Sequence, residues 1–415
     1  MLFFRAKFSR LLALSGILLA LPMLSAHCQT RVVLKFSSGG ELNPQERRNL
    51  DIFMQRNPDI EVRPVKLPAL SMSQHDSYVT YLSSGEETVD VFAIDVIWLA
   101  EFAASGWIYP LDAFFSPEDR AVFLPALLQA GFYAEKLYGI PGNADTGMVY
   151  ANLRLVRKFQ YPLPETFDWK QIPKSAGAPT IPVAFQATQS ESLICNLLEF
   201  FPQNVELNAD WLTSLTEQKD LWRGALTLMR AAVLAARGQP LQMDEGLSAQ
   251  AFLNDHALYL RNWPYVMGLL HRAGKKSGRD FAVVPMATRP TIGGWYLVVN
   301  ANSPHKEKAA RLVKFLTSEE VQLATLDNNY RNNEPLAFPS ARRAYSDPEW
   351  QKKIPELRAI ERNLANARAR FISPDYYAQS RAVIPEIHAY LAGKQTLETA
   401  LSRMQEKIAA TGGKR

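Results

Sequence analysis

Only two cysteines, Cys28 and Cys195, occur in the 415 residues. Cys28 falls in the leader described below, so the one remaining thiol cannot close an internal disulfide. Cys195 sits in the apolar stretch Ser192–Leu198, which reads as a buried small hydrophobe. Histidine is scarce as well, and His256 and His271 lie too far apart to form a metal cluster. Excess charge is small. The formal charge is +5, and the leader's Arg5, Lys7 and Arg10 account for three of it, leaving about +2. That is no basic footprint for nucleic acid. After residue 24 no apolar run reaches the length of a membrane span. There is no G-x-S-x-G elbow and no H-E-x-x-H pair. The near match to a P-loop at Gly268–Lys276 has the wrong glycine spacing and a lysine where Ser or Thr is needed.

What is present begins with a leader. Basic residues at 5, 7 and 10, the apolar run Leu11–Leu24, and small Ser25 and Ala26 follow the order of a secretory signal peptide. Cleavage after Ala26 or after Cys28 fits, and an uncleaved anchor is the alternative. His27 before Cys28 argues against a lipid on that cysteine. The remaining chain, with 47% hydrophobic residues overall, is long enough for two domains with large cores.

Arg31–Phe36 is β-branched and reads as a strand. Asn43-Pro-Gln-Glu46 supplies an N-cap, a proline at the first helical position and a capping-box acid. Leu50, Phe53 and Met54 then form an apolar stripe, closed by Asn57-Pro58. A strand over 60–65, a helix through Tyr78, Tyr81 and Leu82, and a strand over 89–94 ending at Asp95 complete a βαβ rhythm. Such a rhythm predicts a parallel sheet with helices on both faces. Ligands bind beyond the carboxyl ends of such strands, where Gly39, Gly40, Glu41 and Asp95 fall. Further strands are expected at 181–185, 257–260, 281–284 and 295–300. Helices are expected over 221–237, from Ser303-Pro304 with Ala309, Leu312, Val313 and Leu316 inward, and at the end through Leu397, Ala400, Leu401, Met404 and Ile408.

Four stretches carry a resemblance. They are Thr88–Trp98 with Glu101–Ile108, Tyr138–Tyr150 around Asp145, Asn262-Trp-Pro-Tyr265, and Gly293-Gly-Trp295 with Ala309–Ser318 behind it. In that order they resemble the family 1 extracellular solute-binding proteins of ABC importers, most of all the trehalose/maltose-binding branch. The resemblance implies an α/β, two-lobed periplasmic-binding-protein fold of type II, with a hinge between discontinuous lobes and the ligand cleft between them. It implies lobes of 29–140 plus 288–335 and of 141–287 plus 336–415, after a signal peptide of 1–28. It implies capture of a neutral sugar in the periplasm, delivery to permease subunits in the inner membrane, no cofactor and no catalysis. A monomer is expected.

Sugars offer hydroxyl donors and weakly apolar faces, so carboxylates and aromatic rings are the groups to seek. Glu41, Asp95 and Asp145 are the candidate acceptors. Trp263, Tyr265 and Trp295 are the candidate platforms. Gly293 and Gly294 would let backbone approach a ligand, and Arg370 would donate to its oxygens. Plainer roles stand beside these: Glu41 favouring a helix start, Asp95 capping the turn at Val96, Asp145 in an Asx turn, the tryptophans in the core, Arg370 solvated. Trp98 and Trp107 are read as packing residues. A carbohydrate hydrolase using Asp95 and Asp145 is the competing enzyme reading. A polyol, oligosaccharide or glycerol phosphate is the competing ligand on the same scaffold.

Overall fold

A computed structural model of the chain describes residues 31–68, 71–85, 89–173, 180–207, 210–334 and 336–411. The leader and the last four residues lie outside them.

Two sheets organise the chain. The first has the strand order Ile60–Pro64, Val32–Ser37, Val91–Asp95, Trp295–Val299, Ile140–Pro141. Its first three strands are parallel, with Phe36 opposite Val91. The last two are antiparallel, with Trp295 opposite Asp95. The parallel pairing expected of the first three strands is found, and two further strands extend it into a mixed sheet. Trp295–Val299 enters from the second half of the chain, directly after Ile292–Gly293, and pairs in the reverse direction. The second sheet runs Phe281–Val284, Met148–Asn152, Ala257–Asn262, Ile181–Ala184. Met148–Asn152 is antiparallel to both neighbours, and Ala257–Asn262 is parallel to Ile181–Ala184. Between the sheets, Asp145–Thr146 pairs with Ile292–Gly293 as a short antiparallel ribbon. The chain thus passes from one sheet to the other and back through adjoining strands.

Local chemistry accounts for the elements around the cleft. The Asn43 Oδ1 accepts from the backbone N–H groups of Gln45 and Glu46, both at 2.9 Å, and Glu46 returns a bond to the Asn43 N–H at 2.7 Å. This capping box opens the helix Pro44–Arg56, which buries Leu50 and Phe53. Each of those side chains contributes about 2 kcal/mol of apolar burial. The later helix starts at Lys306 rather than at Ser303-Pro304. Ser303 places its hydroxyl on Asp90 at 2.5 Å, which ties the strand exit to the sheet and delays the helix. The final helix, Leu397–Thr411, buries Ala400, Leu401, Met404 and Ile408 as their spacing predicts.

One apolar cluster is continuous from Phe92, Ile94 and Trp98 of the first sheet to Val149, Val183 and Leu193 around the second. Trp98 is fully buried, and Trp107 packs on Phe102. Tyr377 of the helix Tyr376–Leu391 stacks on His75 with ring centroids 3.6 Å apart. Cys195 is buried, and desolvation pushes its thiol up to about 12, which removes thiolate chemistry at neutral pH.

Candidate functional site

A cavity of about 580 Å³ opens between the two sheets. On one side it meets the helix Pro44–Arg56 together with Phe36, Ala93 and Trp295 of the first sheet. On the other it meets Asn143, Asp145, Pro264, Tyr265 and Phe338. Its volume lies in the range of small-ligand sites, roughly 300–1,000 Å³. Phe36 and Ser38, at the carboxyl end of the first strand, line it, whereas Gly39, Gly40, Glu41 and Asp95 lie outside the lining.

The crossing ribbon sets the inner end. Asp145 is half-buried, directly opposite Gly293. Asn143 donates to its Oδ2 at 3.3 Å. Burial pushes the Asp145 carboxyl up to about 7, with Asn143 and the positive charge of Arg261 opposing the rise. Asn143 also accepts from the Trp295 N–H at 3.2 Å, and Gly142 donates to the Trp295 carbonyl at 2.9 Å. Trp295 is therefore fixed by its backbone while its half-buried ring lines the cavity and meets Trp98 edge-on at 5.8 Å.

Trp263 and Tyr265 follow the strand Ala257–Asn262, broken by Pro264. The Trp263 indole N–H points at Glu245 Oε1, 3.4 Å away, and the Tyr265 hydroxyl donates to the Glu245 carbonyl at 3.2 Å. A Cβ at Gly293 would lie 3.0 Å from Trp263 Cζ3, so the missing side chain makes room for this ring. Gly294 adopts φ +127°, a conformation L side chains rarely take, and its carbonyl accepts from Val96 at 3.2 Å.

Asp95 and Arg370 form a separate group beside this one. Asp95 caps the turn at Val96–Trp98, accepting from the Ile97 N–H at 3.2 Å, and also pairs with Arg370 at 2.9 Å. Arg370 is not solvated: its side chain is 4% exposed, and its other terminal nitrogen reaches Glu191 at 3.2 Å. The Tyr376 hydroxyl donates to the same Glu191 oxygen at 2.5 Å. Desolvation raises the Glu191 carboxyl while Arg370 opposes it. Asp95, at the end of a first-sheet strand, is thereby tied through Arg370 to the helix Glu191–Leu198 beside the second sheet.

The structure brings Asp145, Tyr265 and Trp295 into the cavity lining, with Trp263, Gly293 and Gly294 packed behind them and Asp95 and Arg370 beside them, outside the lining. It does not bring Glu41. That carboxylate is exposed, outside the cavity lining, and paired with Lys66 at 2.8 Å, which holds its pKa below the usual range. Sequence reasoning missed Asn143, Glu191 and Glu245. Asn143 stands two residues before Asp145 in the stretch already singled out, so its signal was available. It also missed the far wall, where Asn49 donates to Thr325 at 3.1 Å. Among the described residues no group of three or more His, Cys, Asp or Glu side chains is placed to hold a metal ion.

This arrangement can accept hydroxyl protons, cover apolar ring faces and enclose a small polar ligand. Comparison with known proteins agrees. The model of the family described as bacterial extracellular solute-binding protein matches residues 41–323. A probable ABC transporter-binding protein of Deinococcus radiodurans is 23% identical over 381 residues, covering 85% of this chain and 87% of that one. The maltose-bound MalE3 of T. maritima superposes with a TM-score of 0.74 at 26% identity, over 91% of this chain and 99% of that one. A solute-binding protein of Thermotoga lettingae, solved with α-D-tagatose, gives a TM-score of 0.77 at 19% identity, over 92% and 100%. These neighbours share the two-lobed periplasmic-binding-protein fold.

Proposed function

Because the chain belongs to the bacterial extracellular solute-binding protein family, we propose that it is the sugar-capturing component of an ABC importer. The inferred ligand is a neutral α-linked disaccharide such as trehalose or maltose. It would be captured in the periplasm and handed to permease subunits in the inner membrane. The observation that carries this reading is the cavity itself. Its inner end offers one carboxyl, Asp145, beside Asn143, Tyr265 and Trp295, and its far wall offers Asn49, Gln322 and Thr325. Arg48 and Arg272 line the cavity with Asp145, Glu46 and Glu334, the last 3.7 Å from Arg272, so basic groups do not outnumber acidic ones there and a neutral ligand is favoured over a phosphate. The maltose in the T. maritima relative supports the ligand class.

The proposed mechanism is a clamp. Lobes of 29–140 plus 288–335 and of 141–287 plus 336–415 would each carry one sheet, and closure over the sugar would shift the open and closed populations. Export would follow from the leader at 1–28. No helix among the described residues is long and apolar enough to cross a membrane. The proposed state is a monomer without cofactor.

The test is a thermal-shift screen of residues 29–415 against trehalose, maltose, maltodextrins, polyols and glycerol phosphate. A ligand that binds only the native state raises the melting temperature with the logarithm of its concentration over Kd. A dose-dependent rise with a neutral disaccharide, recovered intact, is the expected result. A rise with glycerol phosphate alone, or silence throughout, removes the ligand assignment. Recovery of free hexoses would move the protein to the hydrolases.

A further inference from the structure

Beneath Trp263 lies an ion pair that no ligand can touch. Arg261 and Glu199 both have fully buried side chains. The Arg261 Nε donates to Glu199 Oε2 at 2.8 Å, a second guanidinium nitrogen donates to Glu199 Oε1, and Nη1 reaches Gln186 Oε1 at 3.2 Å. Glu199 Oε1 also accepts from the Thr291 N–H at 3.0 Å. The bidentate pairing fixes the plane of the guanidinium. That plane covers the Trp263 ring, with Cζ 4.3 Å from the centroid. The ring edge opposite is stopped by Gly293. Even the neighbouring backbone is shaped around the pair, since a Cβ at Gly147 would fall 2.0 Å from Glu199 Oε1.

We infer that Arg261, locked by Glu199, is a positioning residue for sugar binding: it holds the half-buried Trp263 ring, just behind the cavity lining, in the one orientation in which the ring serves as a platform. The inference rests on the proposed site. A buried pair is weak evidence for stability, because apolar residues of similar volume often replace such pairs without loss. Specificity of orientation is the more economical reason for keeping a planar cation under an aromatic ring.

Three variants test it, each read by calorimetric titration with maltose and with trehalose and by the melting curve of the free protein. Trp263→Ala is the control for the platform. The double variant Glu199→Met with Arg261→Met removes the pair without stranding a charge. Arg261→Lys keeps the charge and loses the plane, and it carries the test if the double variant does not fold. Positioning predicts that the double variant and Arg261→Lys melt cooperatively while affinity falls at least about tenfold. Wild-type affinity in either folded variant, with Trp263→Ala impaired, overturns the inference and leaves the site reading intact. Wild-type affinity in Trp263→Ala instead removes the platform itself. A crystal structure of Arg261→Lys or the double variant gives a ligand-free check: a Trp263 ring that leaves Gly293 supports the inference, and an unmoved ring refutes it.

Discussion

Affinity for sugar is expected to depend on pH near neutrality, through Asp145. In the free protein its carboxyl is raised from the ordinary 3.8 to about 7 by burial. Asn143, Arg261, Asp95 and Arg370 are the groups that act on it besides burial. A carboxylate that accepts a sugar hydroxyl must be ionised, so binding would release a proton from the fraction still protonated. With a pKa near 7, about one molecule in ten is ionised at pH 6 and nine in ten at pH 8, giving roughly a tenfold gain in affinity between them. The folding equilibrium moves the other way. Between about pH 4 and 7 the native carboxyl keeps a proton that the unfolded chain has released, so unliganded stability falls as pH rises through that window. Above 7 both states are ionised and the loss is complete. The rise from 3.8 to about 7 corresponds to about 4 kcal/mol. Asp145→Asn should therefore match wild-type stability near pH 4, exceed it by that amount at pH 8, and bind sugar weakly at every pH. Titration calorimetry from pH 6 to 8 in buffers of different ionisation enthalpy, with urea melts alongside, checks both halves. Affinity that is flat, or that rises as pH falls, refutes the ionised-acceptor role.

Three further perturbations follow from the same geometry. Arg370→Met strands Asp95 and Glu191 beside each other and should lower unfolding stability in urea by about 3 kcal/mol; lost sugar affinity at unchanged stability would instead make Arg370 a ligand contact. Gly147→Ala forces a methyl into Glu199 and should destabilise the fold by several degrees in Tm, whereas an unchanged melt would show that Glu199 has room to move. Glu41→Gln should leave sugar affinity unchanged, because its carboxylate sits outside the cavity on Lys66; a clear rise in Kd in calorimetry would return Glu41 to the site.

How legible these features were depends on how local their causes are. The capping box at Asn43–Glu46, the inward stripe of the last helix and the strand ending at Asp95 are fixed by neighbours in sequence, and each is found where periodicity places it. Strand direction is not local. Nothing in Trp295–Val299 distinguishes a parallel from an antiparallel neighbour, and only the route of the chain decides it. Side-chain partnership is less local still. Arg370 was readable as a solvated arginine because Asp95 and Glu191 are 275 and 179 residues away. Glu41 occupies a strand end that favours ligand contact, yet Lys66, 25 residues on, draws it outward.

The ribbon of Asp145–Thr146 and Ile292–Gly293 joins these threads. It is the place where the chain crosses between sheets, and it carries the carboxyl and the glycine that seats Trp263. In the proposed clamp, ligand contact and hinge would be neighbouring parts of one small structure. A sugar closes a clamp only to the extent that it binds the closed arrangement more tightly than the open one. Asp145 and Trp295 are held together at the crossing through Asn143 and Gly142, so rotation of one sheet against the other changes their separation least, whereas groups on opposite walls far from the ribbon, such as Asn49 and Tyr265, change theirs more. Contacts confined to one sheet's outer rim, such as the Glu41–Lys66 pair, are the same in both arrangements and cannot favour either. The residues that matter most for closure should accordingly be those on opposite walls away from the crossing, and substitution at Asn49 or Tyr265 should reduce the ligand-induced change in scattering radius more than substitution at the ribbon, where the contacts persist in both arrangements.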